Sequence, residues 1–169
     1  MFKGDIMTKI YHELEPFFKP DSEILILGSL PSVKSRQEKF YYAHPQNRFW
    51  KILAKVYNED IPKNTAEKQQ FLLKYKIALW DVIKSCDIIG SSDSSIKDVI
   101  PNDINMILEK THIRKIYTTG NKAYQLYNKY CLEKTNIRAI KLPSTSPAYC
   151  PKGIDDILFK EFCKITERS

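Results

Sequence analysis

The chain has few cysteines, the residues whose disulfides or metal sites stabilise many small domains. It has four cysteines in 169 residues, Cys86, Cys131, Cys150 and Cys163, and no two of them form a C-x-x-C pair. This spacing argues against a disulfide framework and against a zinc or iron–sulfur site, because both need closely grouped thiols. We therefore expect four reduced thiols and no bound metal.

Long hydrophobic runs are also missing. No apolar stretch approaches the roughly 20 residues that a membrane-spanning helix needs. The first residues, Met1 to Asp5, lead into an amphipathic stretch and do not have the pattern of a signal peptide. The sequence therefore predicts a cytoplasmic protein that does not associate with membranes.

Glycine is scarce as well, and its placement excludes common nucleotide-binding loops. Neither G-x-x-x-x-G-K-S/T nor G-x-G-x-x-G occurs among the five glycines, and the chain has no repeat or low-complexity tract. These absences weaken any function that uses a nucleotide cofactor.

The charge of the chain, by contrast, is one-sided. Lys and Arg number 27 against 20 Asp and Glu, for a net charge of +7. Such an excess favours a polyanionic partner such as nucleic acid, because each neutralised phosphate releases counterions. A solvated lysine-rich surface gives the same excess, so charge alone leaves both interpretations open.

The pattern of apolar residues predicts an α/β fold. Ile6, Ile10, Leu14, Phe17 and Phe18 recur at helical spacing, which predicts an opening amphipathic helix. Short apolar strands are predicted at 23–27, 77–82, 113–118 and 137–141, and helices at 49–56, 65–75, 104–110, 121–132 and 154–165. Strands that alternate with helices predict three α/β/α layers around a central four-stranded parallel sheet.

Right-handed crossovers would bring the loops after these strands to one edge of the sheet, where open α/β folds bind ligands. The loop segments that meet there are 28–50, 81–98, 119–122 and 142–153.

The segment 28–50 is the richest of these loops in polar residues. Gly28 allows a close approach of backbone to a ligand, and Tyr41 and Tyr42 offer faces on which a base could stack. Its other candidate ligand contacts are Ser29, Ser32, His44, Asn47 and Arg48. An ordinary strand-to-helix connection, with Asn47 as a helix cap and Phe49 as a core anchor, remains an open alternative.

The segment 142–148, Leu-Pro-Ser-Thr-Ser-Pro-Ala, is stiffened by two prolines. The hydroxyls of Ser144, Thr145 and Ser146, with the amides between them, suit a loop that grips phosphate. The alternative is a plain polar turn.

Together these segments resemble the uracil-DNA glycosylase superfamily, and within it most closely the hypoxanthine-DNA glycosylase branch, which is related to the mismatch-specific uracil and thymine glycosylases. The matching strings are Gly28-Ser-Leu-Pro-Ser32, Tyr42-Ala-His-Pro-Gln-Asn-Arg-Phe-Trp50, Leu79-Trp-Asp-Val-Ile83 and Leu142-Pro-Ser-Thr-Ser-Pro-Ala148, in the family's order and spacing. The resemblance covers nearly the whole chain and implies one domain over residues 1–169.

The resemblance also implies an activity. Members of this family flip a deaminated base, hypoxanthine or uracil, out of DNA and hydrolyse its N-glycosidic bond without a cofactor. The partner would thus be DNA that contains a deaminated base, and no obligate protein partner is implied.

The chain departs from the wider superfamily at two positions. Leu30 stands where many members have a water-orienting Asn or Asp, and Leu142 stands near the point where others have a leaving-group His. Leucine can do neither task, so we expect Asn47, whose side-chain carbonyl can accept a hydrogen bond from water, to position the nucleophile. His44, backbone amides or Asn121 would stabilise the leaving base, and we expect weak uracil activity or a preference for hypoxanthine.

These considerations give a set of site residues. Catalysis is assigned to Asn47 and His44. The base pocket is assigned to Gly28, Ser29, Leu30, Tyr42, Phe49, Asp81 and Asn121. DNA contacts are assigned to Ser32, Lys34, Arg48, Ser144, Thr145 and Ser146. His12 is expected to be merely structural. Two other functions remain open from the residues alone: an α/β enzyme of free nucleosides or nucleotides, and a non-catalytic nucleic-acid-binding module.

Overall fold

The protein is described by a computed structural model over residues 6–90 and 92–167. Its strands are β1 (Met7–Tyr11), β2 (Ile24–Gly28), β3 (Ile77–Asp81), β4 (Ile83–Ile89), β5 (Lys97–Pro101), β6 (Lys115–Thr119) and β7 (Ala139–Leu142). Its helices are α1 (Val33–Glu38), α2 (Phe49–Tyr57), α3 (Thr65–Tyr75), α4 (Ile104–Leu108), α5 (Gly120–Tyr130), α6 (Leu132–Thr135) and α7 (Ile154–Phe162), with short 3-10 turns at Asp93–Ser95 and Cys163–Thr166.

A four-stranded parallel sheet in the order β3-β2-β6-β7 forms the centre of the fold. Every residue of β2 and β3 is buried, as expected of parallel strands that are covered on both faces. Helices flank the sheet, so the predicted α/β fold with a central four-stranded parallel sheet is confirmed. Strand β3 lies on one side of β2, and β6, which comes later in the chain, lies on the other side. Where the strand order reverses in this way, a crevice opens at the carboxyl ends of the strands.

The opening helix predicted from the spacing of Ile10, Leu14 and Phe17 is wrong. Residues Met7–Tyr11 form strand β1, and the chain then continues extended to an isolated bridge between Phe17 and Leu79. Pro16 lacks an amide hydrogen and disfavours a helix interior. An extended chain satisfies the same apolar spacing, because Leu14 is buried and Ile10 and Phe17 pack against the core.

A second sheet was not predicted. It is antiparallel, with the order β1-β4-β5, and a single residue, Val82, lies between the end of β3 and the start of β4. Polar Ser85 and Asp87 interrupt the apolar run of β4, and its pairing with β5 carries register shifts, so its sequence lacks a regular strand pattern. The segment that follows β1 lies against the central sheet, where Phe17 bridges to Leu79 and His12 contacts Asp81.

Within the described part of the chain, no helix is long and apolar enough to cross a membrane.

Candidate active site

A cavity of about 1370 Å³ opens at the carboxyl ends of the central strands. Its lining includes the last residue of three strands: Gly28 of β2, Asp81 of β3 and Thr119 of β6. The loops before α2 and after β7 add Asn47 and Ser144. Most of the sequence-predicted site residues border it: Gly28, Ser29, Leu30, Ser32, Lys34, Tyr42, His44, Asn47, Asp81, Asn121, Ser144, Thr145 and Ser146. Phe49 and Arg48 do not.

The floor of the cavity is formed where β2 and β3 end side by side. Gly28 pairs in register with Asp81, and a Cβ on Gly28 would lie 2.5 Å from the Asp81 Oδ1 and 3.3 Å from the Tyr42 hydroxyl. Glycine is therefore required here because it makes room for a carboxylate, a reason different from the close ligand approach that the sequence suggested.

The Asp81 carboxylate is paired to a histidine that sequence reasoning had set aside. Asp81 is 4% exposed, and the side chain of His12 is 1% exposed. Because an ionised carboxylate only accepts, His12 Nε2 donates to Asp81 Oδ2, at 2.7 Å. No sequence signal joins two residues 69 positions apart, and the mistaken helix over residues 6–18 placed His12 in the wrong element.

Asn102 holds the Asp81 backbone in the same place. Its side-chain amide donates to the carbonyls of Asp81, at 2.9 Å, and Ile83, at 3.2 Å, and Asn102 is itself buried. These two bonds span the single-residue step from β3 to β4, where the chain changes sheets.

Tyr42 forms an aromatic wall of the cavity. One face of its ring stacks on Phe49, with centroids 3.8 Å apart and planes 11° apart, and its hydroxyl is 3.0 Å from Thr119 Oγ1. Burial, and next the Asp81 carboxylate, raise the pKa of Tyr42 above its usual range, so the hydroxyl keeps its proton. Phe49 is fully buried behind Tyr42. The prediction that Phe49 lines the pocket is therefore corrected: Phe49 packs against the ring of Tyr42, which lines it.

Asn47 borders the cavity and also contacts the start of α2. Its Oδ1 accepts from the Phe49 amide at 2.9 Å, while Arg48 occupies the N-cap position, so the capping bond that the sequence raised as an alternative comes from the residue before the N-cap. A side-chain carbonyl oxygen has two lone pairs, and the cap uses one of them. The cap thus fixes the amide without consuming its ability to accept a second hydrogen bond.

His44 lies beside Asn47 at the cavity edge, with one ring nitrogen engaged. Its Nδ1 accepts from the Gln46 amide at 3.1 Å. In the neutral ring this bond puts the proton on Nε2, which makes that nitrogen a donor.

Arg48 fastens the loop after β7 to the start of α2. Its guanidinium donates to the carbonyls of Ser146 and Tyr149, both at 3.2 Å, and its amide donates to the Thr145 carbonyl at 3.0 Å. The predicted contact between Arg48 and a DNA phosphate is therefore corrected, because the guanidinium and the amide of Arg48 donate to carbonyls of this loop.

Two serines of that loop, Ser144 and Ser146, border the cavity, and each hydroxyl accepts a hydrogen bond from the amide two residues later. The Ser146 amide donates to Ser144 Oγ and the Ala148 amide donates to Ser146 Oγ, both at 3.2 Å, so each hydroxyl still has a proton to donate. Thr145 is 2% exposed, and its side chain is too deeply buried for the predicted surface contact with DNA.

The remaining predicted contacts lie around the rim. Ser32 caps α1 through its bond from the Ser35 amide, at 3.1 Å, and Lys34 forms an ion pair with Glu38 at 3.0 Å. Asn121 Oδ1 accepts from Lys141 Nζ at 3.1 Å, at the exposed start of α5. Within residues 6–90 and 92–167, no three His, Cys, Asp or Glu side chains are grouped to hold a metal ion.

Open α/β folds bind their ligands at the carboxyl ends of the strands, and the polar and aromatic side chains that meet there make this crevice the candidate active site of an α/β enzyme. The family model of the uracil DNA glycosylase superfamily matches residues 15–164. The chain belongs to the uracil DNA glycosylase superfamily. It is a DNA glycosylase, a hydrolase of N-glycosidic bonds that acts on deaminated bases, and this finding prevails over the other two functions left open by the residues.

Two curated relatives are similar over most of their length. A hypoxanthine DNA glycosylase of Methanosarcina barkeri is 34% identical over 110 residues, which are 64% of this chain and 70% of that protein. A hypoxanthine DNA glycosylase of Methanosarcina acetivorans is 40% identical over 105 residues, which are 61% of this chain and 66% of that protein.

A solved structure has the same fold. The solution NMR structure of a candidate uracil DNA glycosylase from Methanosarcina acetivorans superposes with a TM-score of 0.76 at 31% identity, and the match covers 91% of this chain and 97% of that one.

Proposed function

We propose that the protein is a monofunctional glycosylase that removes hypoxanthine, and uracil more slowly, from DNA in the first step of base excision repair. The observation that carries the proposal is that the Asn47, His44 and Ser144 loops meet at one cavity above the carboxyl ends of the strands. The printed names of the two Methanosarcina relatives favour hypoxanthine as the base.

The volume of the cavity suits an everted nucleotide together with its flanking strand. Small-molecule pockets measure about 300–1,000 Å³, and the cavity of about 1370 Å³ exceeds that range. Flipping costs a few kcal/mol, which stacking on Tyr42 and contacts to the flanking phosphates would offset.

Hydrolysis needs a water placed against C1′ of the sugar. We assign that placement to Asn47, whose amide is held by its cap and keeps one lone pair for the water. The water oxygen bonds to C1′ as the bond to the base nitrogen breaks. The water loses one proton to solvent and the departing base takes one up from solvent, so that the products are the free base and an abasic sugar with a hydroxyl on C1′. No residue other than Asn47 is assigned to the water.

The base departs with the electron pair of the broken bond. We assign the stabilisation of that developing charge to the Nε2–H of His44, which the bond from Gln46 leaves as the donor. Leu30 and Leu142 give no such help, and we therefore expect catalysis weaker than in members that have a polar residue at both places.

DNA is held along the rim. The free protons of the Ser144 and Ser146 hydroxyls suit contacts to phosphates that flank the flipped nucleotide, and Ser32 and Lys34 border the same cavity. We further propose that residues 1–169 form one domain, that the protein works in the cytoplasm, and that it needs neither a cofactor nor an obligate protein partner.

The test is a substrate panel. Purified protein is incubated with labelled duplexes that contain one deoxyinosine, one deoxyuridine or only normal bases, and with free deoxyinosine. The proposal predicts alkali-labile abasic sites in the deoxyinosine duplex first and in the deoxyuridine duplex more slowly. Binding without cleavage, or base release from the free nucleoside alone, would contradict it.

A further inference from the structure

Arg36, on helix α1, borders the cavity with a guanidinium that the protein does not use. Its Nε is buried and has no hydrogen-bond partner. Among residues 6–90 and 92–167, no carboxylate forms an ion pair with this guanidinium and no carbonyl accepts from it. Arg48, by contrast, donates to two loop carbonyls. A cation with unused donors on the wall of a ligand cavity forms a site for an anion that comes from outside the protein.

The neighbours of Arg36 do not neutralise its charge. The one carboxylate of α1, Glu38, is 3.0 Å from Lys34 Nζ and is paired with it. Cys86, on β4, lies near enough for its titration to respond to Arg36. Burial, and next the Asp87 carboxylate, raise the pKa of the Cys86 thiol, while the charge of Arg36 acts in the opposite direction. The thiol therefore keeps its proton and supplies no negative charge.

The backbone that carries Arg36 is fixed, although the end of its side chain is not. The preceding residue, Ser35, is 1% exposed, and its Oγ accepts from the Ala43 amide at 3.0 Å. The Ser35 carbonyl accepts from the Phe40 amide at 3.1 Å. These bonds tie α1 to the loop that bears Tyr42. The guanidinium can therefore turn toward a ligand without breaking a hydrogen bond within the protein.

A DNA phosphate matches this site in charge and in shape. The planar guanidinium presents several N–H donors in a fixed geometry, which suits two oxygens of one phosphate group. The cavity of about 1370 Å³ exceeds the range of small-molecule pockets, so phosphates beside an everted nucleotide have room within it.

We propose that the guanidinium of Arg36 binds one phosphodiester of the damaged strand, next to the flipped nucleotide. The inference rests on the proposed function and adds to it a defined phosphate site on α1. Arg36 is thus a binding residue, and its contribution falls on affinity for DNA.

The variant Arg36→Met separates this role from a structural one. Methionine keeps an unbranched stem and removes all the donors, including the buried N–H that has no partner. Because an unpaired buried donor destabilises the folded protein, Tm should stay the same or rise. A residue that supported the fold would give the opposite result, and a clear fall in Tm would overturn the inference.

Binding is measured with a duplex that carries 2′-fluoro-arabino-inosine, which resists cleavage and reports Kd alone. R36M should weaken binding by about 10-fold and lower the slope of log Kd against log salt by about 1. The single-turnover rate on deoxyinosine, with enzyme in saturating excess, should fall by less than the affinity does. Lys39→Met is the matched control: it removes one charge just after α1, outside the cavity, and should leave Kd and slope unchanged.

Methylphosphonate linkages locate the phosphate. Each one replaces a charged phosphate by a neutral group, one position at a time on either side of the damaged nucleotide. At the contacted position the replacement should weaken wild-type binding by about as much as R36M does, and should have little further effect on R36M, because the two changes remove the same contact. Equal effects on both proteins at every position would overturn the inference.

The same assays distinguish the remaining outcomes. If R36M lowers the single-turnover rate while Kd and salt slope stay at the wild-type values, the guanidinium acts on the departing base and the phosphate site is wrong. If the wild type excises neither deoxyinosine nor deoxyuridine, the proposed function fails. If the wild type excises deoxyinosine and R36M matches it in affinity and salt dependence, only the inference about Arg36 fails.

Discussion

Replacing Gly28 by alanine adds a methyl group where the structure has no space for one. Gly28 has no positive φ, so alanine meets no backbone penalty and the cost is steric alone. The new Cβ would lie 2.5 Å from Asp81 Oδ1, and ordinary contact begins near 3.4 Å, so the carboxylate must move by nearly 1 Å.

The size of the effect follows from that displacement. Overpacking of this kind costs about 1–3 kcal/mol. In a chain of this length each kcal/mol lowers Tm by about 2–4 °C, so Tm should fall by about 2–12 °C. A misplacement of about 1 Å in an active-site group costs on the order of 100-fold in rate, and we expect a loss of that order in excision.

The assay pairs a thermal melt with single-turnover excision from a deoxyinosine duplex. Gly153→Ala is the matched control: its φ is +77°, its Cβ would meet nothing within 4 Å, and it lies outside the cavity. The strained backbone should cost about 1–2 kcal/mol and leave excision intact. If G28A keeps both its Tm and its rate, the reasoning about the cavity floor is refuted.

The other predictions concern the cap, the loop and the leaving base. Asn47→Ala should abolish excision, leave DNA binding largely intact and cost about 1 kcal/mol of stability, and near-normal turnover by N47A would exclude its role. Asn64→Ala, which removes the N-cap bond of α3 (2.9 Å to the Glu67 amide), should cost a similar amount of stability with normal excision. Arg48→Ala should raise hydrogen exchange in residues 144–150 and leave the salt dependence of DNA binding unchanged, whereas Lys34→Ala should lower its slope by about 1; a lower slope for R48A would mean a phosphate contact. His44→Ala should lower the rate of the chemical step for deoxyinosine while Kd stays nearly constant, and equal rates would contradict the leaving-group assignment.

The sequence predicted the parts of the fold that depend on local pattern. The buried runs of β2 and β3 read as strands because every residue in them is apolar up to the polar or glycine end. Helices α2 and α3 were likewise predictable from their apolar spacing. These elements fix the crevice, and so the general location of the site was predictable.

The antiparallel sheet was not predictable, because its pairing is long-range. Strand β1 is a mostly exposed strand whose partners in β4 lie over 70 residues away, as in the pair Met7 and Ile89. Its few apolar residues fit a helical period as well as an extended chain that touches the core at intervals. The spacing of apolar residues cannot distinguish a helix from an extended chain when only isolated residues of that chain contact the core.

Around the cavity, the sequence predicted the positions of residues better than their contacts. Asn47 and Asp81 were placed correctly at the sheet edge by their position after or before an element. The cap on Asn47, the turn of Arg48 toward the loop and the pairing of Asp81 with His12 depend on which donors and acceptors meet in space. The spacing of residues along the chain does not show which donors and acceptors form hydrogen bonds in the folded protein.

A crystal structure of the protein with a duplex that carries 2′-fluoro-arabino-inosine tests the central claim most directly. The account predicts that hypoxanthine is turned out of the helix and lies in the cavity between Gly28, Asn47 and the loop of Ser144. A base that remains stacked in the duplex, or that lies on another face of the protein, would contradict it.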